Sequence, residues 1–515
     1  MTAAPVSLPA LGRGTRIGYA AGSLVPGAFG TVPGLLLLPY LTDTLAVAAG
    51  LAGLLVLLPK AWDVVLNPIA GRISDRTTSR WGPRRPYLLV GGVGTAVTFA
   101  ALFAGPFAGA AGAVYVTIAF LATATAFAFF QVPFVAMPTE ITAGTADPYG
   151  ERTRLMTWRI AVLALAILAS GAAAPAIRDA AGGGLAGYRA AGAAIAVLIA
   201  IGALAAFRGT RHAPVGAVHE SEPSLRRQLA VARANRPFAL LLGCFVVQAV
   251  GIGVMLAGTD YAAAGPLGDA GATSLLFVCF VGPALVVTPV WGRVGDRIGK
   301  RAGYVLGSVL FAAGALLIGV AFLLGRAPVG AVLAATALVG VGYAGQQVFG
   351  LAMLPDTIAA DEAITGRRQA GVFTGLWTGG ETLGLALGPG VFGLLLQIGG
   401  YRSGVDAADQ PGSARTAIIL GFSLVPAAIV LVALPLLRRY DLTPARLTAL
   451  TAGAAPAEPI PSAPPPSDSP PSDSSPSDSS PSDSSDPADR TDPAAAGRND
   501  DAASAGGVAP THGER

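Results

Sequence analysis

Lys60, Asp63 and Asn67 stand three, four and seven residues apart inside a long apolar run. On a helix those spacings put all three side chains on one face. An ion at the middle of a bilayer costs roughly 2.5–3.5 kcal/mol on insertion scales, so such groups face a bundle interior, a water-filled path or one another. An ammonium one turn from a carboxylate neutralises it, and protonation of Asp63 would release Lys60 and change helix packing. That chemistry is cation binding and release inside a membrane, the work of a transporter; a static pair that only joins helices is the competing reading. A second carboxylate, Glu381, lies ten residues inside another otherwise uncharged run, about 15 Å along a helix. It is a second candidate proton site. Tyr343, Gln346 and Gln347 in one apolar run and Gln248 in another could complete a polar cavity, although single polar residues also bridge helices.

Elements long enough to hold these groups at such depth are abundant. The chain has 515 residues, 53% of them hydrophobic and 12% charged, against about 25% charged in a soluble domain. Runs of some 20 apolar residues predict twelve membrane-spanning helices. They fall near 16–41, 45–71, 87–106, 112–138, 155–176, 189–207, 237–258, 272–292, 303–324, 329–353, 371–396 and 414–437. Basic residues gather in alternate loops: Arg72, Arg76, Arg80, Arg84 and Arg85 after the second span, Arg208, Arg211, Arg226, Arg227, Arg233 and Arg236 in the central loop, and Arg293, Arg297, Lys300 and Arg301 after the eighth. The positive-inside rule places these loops and both termini in the cytoplasm, and the protein in the cytoplasmic membrane. Topology accounts for the net charge of +4, so no nucleic-acid partner is expected. The opening residues lack the layout of a signal peptide and read as a short cytoplasmic lead. Cys244 and Cys279 read as buried free thiols, with no disulfide framework. His212, His219 and His512 fall outside the predicted spans, which excludes a zinc site of ordinary spacing.

The chain also repeats itself. Gly71-Arg-Ile-Ser-Asp75-Arg76 after the second span returns as Gly292-Arg-Val-Gly-Asp296-Arg297 after the eighth, and Met137-Pro-Thr-Glu140 returns as Met353-Leu-Pro-Asp356. Both offsets are six spans. Two six-helix bundles with a site between them at midplane follow as the expected design: residues 1–207, a central loop at 208–236, and residues 237–451. From 452 to 515 the composition turns to Pro, Ser, Asp and Ala, which predicts a disordered cytoplasmic tail.

Several motifs together resemble the glycoside–pentoside–hexuronide:cation symporter family, a branch of the major facilitator superfamily. They are Trp62-Asp63, Asn67-Pro68, Gly71-Arg72, Asp75-Arg76, Ser79-Arg80-Trp81-Gly82 and Arg85-Pro86, then Glu151-Arg152-Thr153-Arg154-Leu155 with Trp158-Arg159, and Asp361-Glu362 with Thr365-Gly366-Arg367-Arg368 and Gly371. The resemblance covers roughly residues 16–440. It implies an all-α membrane protein of twelve helices in two pseudo-symmetric bundles. It also implies that Asp63 is one of two acidic cation ligands on the second helix, the other being Asn67 here, and that Lys60 is the basic residue before the tryptophan. Asparagine keeps a carbonyl ligand but cannot carry a proton. The family's sugar-binding aspartates align with Gln131 and Gly27, its cavity arginine with Arg159, and a lysine of the eleventh helix with Thr378, beside Trp377. A substrate cavity of Gln131, Arg159, Trp377, Thr378, Gln347 and Tyr343 follows. Asp75, Arg76, Arg80, Arg85, Asp296 and Arg297 read as a cytoplasmic gate, or as charge that only sets topology.

The expected function is symport of a sugar, glycoside or similar small polar solute by alternating access, by a chain functional as a monomer in the lipid bilayer. It is coupled to H⁺ in preference to Na⁺ and uses no cofactor. Proton-coupled export of a metabolite or drug is the alternative, and a non-transporting receptor or scaffold a more distant one. An enzyme is excluded by the lack of histidine or paired catalytic carboxylates within the spans.

Overall fold

The computed structural model describes residues 11–453 apart from 143–144, 146, 214–229, 232, 325–327 and 368. Residues 454–515 of the expected tail, Arg226, Arg227, His219, Arg326 and Arg368 lie outside the described residues, as does the side chain of Lys60. Residues Met1–Ala455 form one compact unit.

Eleven helices among the described residues are long and apolar enough to cross a membrane. They are Arg13–Thr44, Arg85–Leu102, Gly109–Ile141, Gly150–Ala180, Gly184–Thr210, Arg236–Ala264, Ala272–Ile298, Lys300–Leu323, Val329–Thr365, Ala370–Ile398 and Gly412–Arg438. Between the first two of these runs Ala49–Arg76, a 28-residue helix, about 42 Å long. It is apolar in its first eleven residues, Ala49–Pro59, and polar beyond, because it carries Lys60, Asp63, Asn67, Arg72 and Asp75. Counting it gives twelve, here numbered in chain order.

Several spans outrun their apolar cores. The tenth, expected over 329–353, continues to Thr365, because backbone hydrogen bonds persist where a helix leaves lipid and Pro355 removes only one of them. The first breaks at Gly22–Ser23 and ends in a π-helical turn, Tyr40–Thr44. The twelfth breaks at Ser423.

Helix packing repeats at the six-span offset. Third against fourth matches ninth against tenth, first against fifth matches seventh against eleventh, second against fourth matches eighth against tenth, and third against sixth matches ninth against twelfth. Small residues make these approaches close, as expected where lipid gives helices no hydrophobic reason to associate. A Cβ on Gly91 would stand 2.7 Å from the amide nitrogen of Phe130, and one on Gly342 would stand 2.3 Å from that of Phe311. A Cβ on Gly388 would lie 2.1 Å from the carbonyl carbon of Gly253.

Each half is also clasped by charge at the end that carries the Arg-rich loops. Arg84, before the third span, contacts Glu140 of the fourth at 2.8 Å and Asp75 of the second at 3.2 Å. The counterpart is Lys300, the first residue of the ninth span, on Asp356 of the tenth at 2.6 Å. Arg16 of the first span forks onto Glu151 of the fifth, at 3.1 and 2.6 Å.

The halves themselves meet along second against eleventh, fifth against eighth and first against seventh. Second and eleventh run antiparallel, and their closest approach lies toward the end opposite the Arg-rich loops. A Cβ on Gly53 would sit 2.7 Å from the Pro389 oxygen, and one on Gly393 would sit 2.6 Å from the Ala49 oxygen. Gly50 N donates to Gln397 Oε1 at 3.0 Å. On the fifth–eighth seam Gly171 abuts Phe277, and Ser274 Oγ donates to the Ala172 carbonyl at 2.9 Å.

Two stability outcomes follow. Gly388→Val must push the seventh and eleventh spans apart and should cost about 1–3 kcal/mol, seen as a lowered melting temperature of the detergent-solubilised protein. Arg84→Ala removes the guanidinium shared by the buried Glu140 and the half-buried Asp75 and leaves Glu140 with the nearby charge of Arg85, and should lower stability by about 1–3 kcal/mol; unchanged melting would mean that the clasp contributes nothing.

Candidate functional site

The seam between the second and eleventh spans fixes the depth of the candidate groups. Asp63 lies ten residues beyond Gly53 and Glu381 nine residues before Gly390, so both sit about 13–15 Å from the seam toward the Arg-rich end. Antiparallel register therefore sets the two carboxylates level on facing spans of opposite halves. Between them and the seam lies a cavity of about 140 Å³, lined by Phe29, Val56, Phe120, Leu256, Thr382 and Leu385 among others. It is apolar and takes walls from both halves.

In the first half, Asp63 is buried at 9% exposure while Asn67, one turn on, is exposed. The Asp63–Asn67 face thus passes from the interior to an accessible surface within a single turn. Trp62 Nε1 donates to Thr125 Oγ1 of the fourth span at 3.1 Å, steadying this part of the second span. Arg159 stands over an aromatic platform on the fourth span, which also carries Gln131. The Arg159 guanidinium lies 5.5 Å from the Phe134 ring centre, a cation–π distance. Tyr19 stacks on Phe134 at 4.6 Å and donates its hydroxyl to the Phe134 carbonyl. Gln131 Oε1 and Arg159 Nε are buried without a hydrogen-bond partner among the described residues. Such groups are costly to leave unmatched, and a polar solute could complete them. Gly27 faces the fifth span so closely that a Cβ would stand 2.5 Å from Ala166 Cβ. No side chain, acidic or otherwise, fits there in this packing.

In the second half, Gln347 joins two other residues. Its Nε2 donates to Glu381 Oε1 at 2.9 Å and to the Tyr343 hydroxyl at 3.0 Å. Among the described residues no basic side chain pairs with Glu381. Trp377 is buried, stacked on Phe245 at 4.1 Å, and Thr378 beside it is exposed. Gln248 and Gln346 turn instead to Ser308, at 3.0 and 3.4 Å, as a polar cross-link among helices of one bundle.

The charges read as a cytoplasmic gate are distributed differently. Asp75 pairs with Arg84 inside the first half. Arg80 lies over the Trp81 ring at 4.9 Å. Arg85 is buried and donates to the carbonyls of Trp81 and Ala213. Arg76, Asp296 and Arg297 are exposed.

The polar contacts that cross between the halves gather at the other end. Arg178 Nη1 of the fifth span meets Asp260 Oδ1 of the seventh at 2.8 Å, both buried. Thr42 and Tyr261 share a hydrogen bond of 2.6 Å, and Tyr401 donates to Asp43 at 2.8 Å. Burial first and the Asp43 carboxylate second push the Tyr401 hydroxyl well above its usual range, so it remains a donor. Sequence reading missed this cluster because the expected spans, 155–176 and 237–258, stop two residues short of Arg178 and Asp260. The available signal was an arginine and an aspartate each set just past an apolar run.

Similarity to known proteins runs through the same elements. Residues 18–444 match the family model described as MFS/sugar transport protein. The glucuronide carrier protein homolog of Escherichia coli is 26% identical, over 83% of this chain and 92% of its own length. The isoprimeverose transporter of Lactiplantibacillus pentosus is 25% identical, over 75% and 80%. An uncharacterized symporter of Synechocystis is 24% identical, over 83% and 94%. Among solved structures, a bacterial homolog of the human lysosomal transporter Spinster superposes with a TM-score of 0.60 at 13% identity, covering 84% of this chain and 98% of that one. A bacterial homologue of ferroportin, inward-facing, gives 0.59 at 14%, covering 83% and 97%. At such identities these two speak for the fold alone. With a family model spanning the whole two-bundle core, and relatives that cover it nearly end to end, the chain belongs to the MFS/sugar transport proteins, as a multi-pass membrane transporter of the glycoside–pentoside–hexuronide:cation symporter family.

Proposed function

We propose that this transporter carries a sugar, glycoside or similar small polar solute together with a cation, by alternating access, and that the cation is H⁺ in preference to Na⁺. The observation that carries the reading is the level placement of Asp63 and Glu381 on the facing second and eleventh spans, on the same side of the seam. A carboxylate at that depth is expensive when charged and unpaired. Its proton state therefore bears on whether the spans can close around a solute. Glu381, with a single amide donor and no basic partner among the described residues, suits a group that takes up a proton. Asn67, exposed and unable to titrate, offers Na⁺ a carbonyl without a second negative charge.

The polar groups supply the solute's partners. Gln131 accepts and donates, Arg159 donates, and Tyr343 and Gln347 face from the other bundle's tenth span. The names of the E. coli and L. pentosus relatives support a sugar derivative as cargo. Basic loops after the second and eighth spans favour the topology with both termini in the cytoplasm. In that orientation the seam closes the outer face and the candidate groups belong to an inward-facing cavity. One chain holds the complete path, which favours a functional monomer.

The protein in liposomes should accumulate a sugar or glycoside when a proton gradient alone is imposed. Accumulation that requires Na⁺ would reverse the choice of ion, and no flux with any sugar under either gradient would reject the cargo class. Asp63→Asn should lower gradient-driven accumulation by roughly tenfold or more, the scale of typical coupling free energies, while solute exchange at equal concentrations persists. Glu381→Gln should do the same if its proton couples the cycle; full accumulation in that variant would confine the chemistry to the first half.

A further inference from the structure

The face opposite the Arg-rich loops holds a set of charges that neither the solute site nor the cation site uses. Arg178 closes the fifth span, and its Nη1 meets Asp260 of the seventh at 2.8 Å; their side chains are 6% and 8% exposed. The two residues belong to different halves. Arg178 has a second partner in its own half, since Nε lies 2.7 Å from Asp179 Oδ1, and its guanidinium sits 5.5 Å from the Tyr188 ring. Asp260 likewise has one in its own, accepting from Thr273 Oγ1 at 2.8 Å. Around the pair, Thr42 and Tyr261 share a hydrogen bond, Tyr401 donates to Asp43, and Gly404 N donates to the Thr42 carbonyl at 2.9 Å. All three join the halves. A cavity of about 360 Å³ adjoins the cluster, with Asp43, Arg178, Asp179, Asp260 and Tyr401 on its walls.

An ion pair held this way has two stable conditions. Closed, the two charges are desolvated and offset each other's burial across the halves. Open, water replaces the lost contact, Arg178 keeps Asp179 and Asp260 keeps Thr273, so neither charge is stranded. The remaining contacts at this end are backbone approaches of small residues and single hydrogen bonds, which part without leaving a buried charge. We propose that the Arg178–Asp260 pair is an ionic lock between the two halves, holding the transporter shut on this face, and that its release, with Arg178 kept by Asp179 and Asp260 by Thr273, is the step that admits solute from that side. Truncating either partner removes the charge contact that joins the halves and leaves the other with only its local partner, and so favours the open arrangement.

The lock rests on the alternating-access reading but not on the identity of the cargo, and its test needs no solute. Cysteines placed at Ala172 and Ser274, neighbours across the fifth–eighth seam, report closure through disulfide formation in the full chain, with Cys244 and Cys279 replaced by alanine. In liposomes the pair should cross-link readily when Arg178 and Asp260 are intact. Arg178→Gln and Asp260→Asn should each reduce the yield several-fold, and the exchanged pair Arg178→Asp with Asp260→Arg should restore most of it. Unchanged yields in both single variants would overturn the lock. Because a stranded charge can also unfold a bundle, the exchanged pair decides: restoration shows that the charges act through each other, and a yield no better than the single variants rejects it. Closure that responds to the pair in a protein that moves no sugar would reject the cargo and keep the lock.

Discussion

Backbone touches backbone where the second span crosses the eleventh. Gly53 and Gly393 leave no room for a side chain there, and in lipid such van der Waals closeness, with the hydrogen bonds around it, replaces the hydrophobic drive that joins helices in water. Everything at the candidate site is measured from this contact. It sets two antiparallel helices in one register, so residues counted nine and ten positions away on opposite halves arrive at one depth. A bulky residue at the crossing would shift the spans, and with them the relation of Asp63 to Glu381. The contact carries no formal charge, so the halves can part there without desolvation penalty of their own.

Charge is used differently at the two ends. At the Arg-rich end, Arg84 with Glu140 and Lys300 with Asp356 clasp spans of the same half, at equivalent places in each repeat. Such pairs stiffen a bundle that must move as a body. At the opposite end, Arg178 and Asp260 pair across the halves, and the six-span offset maps that fifth–seventh contact onto the eleventh and first spans, where Tyr401 donates to Asp43 in place of an ion pair. Rigid-body rocking asks for both: clasps that survive the motion and a bond that does not.

Much of the fold was legible because membrane helices declare themselves through length and apolarity, and the duplication showed in short motifs such as Gly71–Arg76 and Gly292–Arg297. The second span was legible for the opposite reason, through ions placed where none is cheap. Helix ends were not, because a helix continues past its apolar core into water without losing backbone bonds, as the tenth does to Thr365. That same extension hid Arg178 and Asp260. Of the site, the meeting of Glu381, Gln347 and Tyr343 follows from i and i+4 spacing on the tenth span plus one facing helix, and could be suspected from sequence. The placement of Trp377 against Phe245, the closeness of Gly27 to Ala166 and the turn of Gln248 and Gln346 toward Ser308 depend on helix rotation about its axis. The apolar pattern hardly constrains that rotation when nearly every face is apolar.

The two carboxylates and the distant ion pair raise one question of energy: what makes closing at one end depend on occupancy in the middle. A ligand shifts a two-state equilibrium only by its difference in affinity for the states. In the proposed cycle, a proton on Asp63 or Glu381 would lower the cost of enclosing that carboxylate, and a solute that meets Gln131 and Arg159 would remove a further desolvation cost. Both terms favour spans drawn together on the Arg-rich side of the seam. The second and eleventh spans touch from Gly53 to the start of the second span, so rocking the halves about that seam to draw the spans together on its Arg-rich side would strain the contacts at the opposite end. The contact that resists spreading is Arg178 with Asp260. On this proposal, loading in the middle and the lock at the end oppose each other through the seam, and that opposition would allow tight coupling without any contact between the two sites.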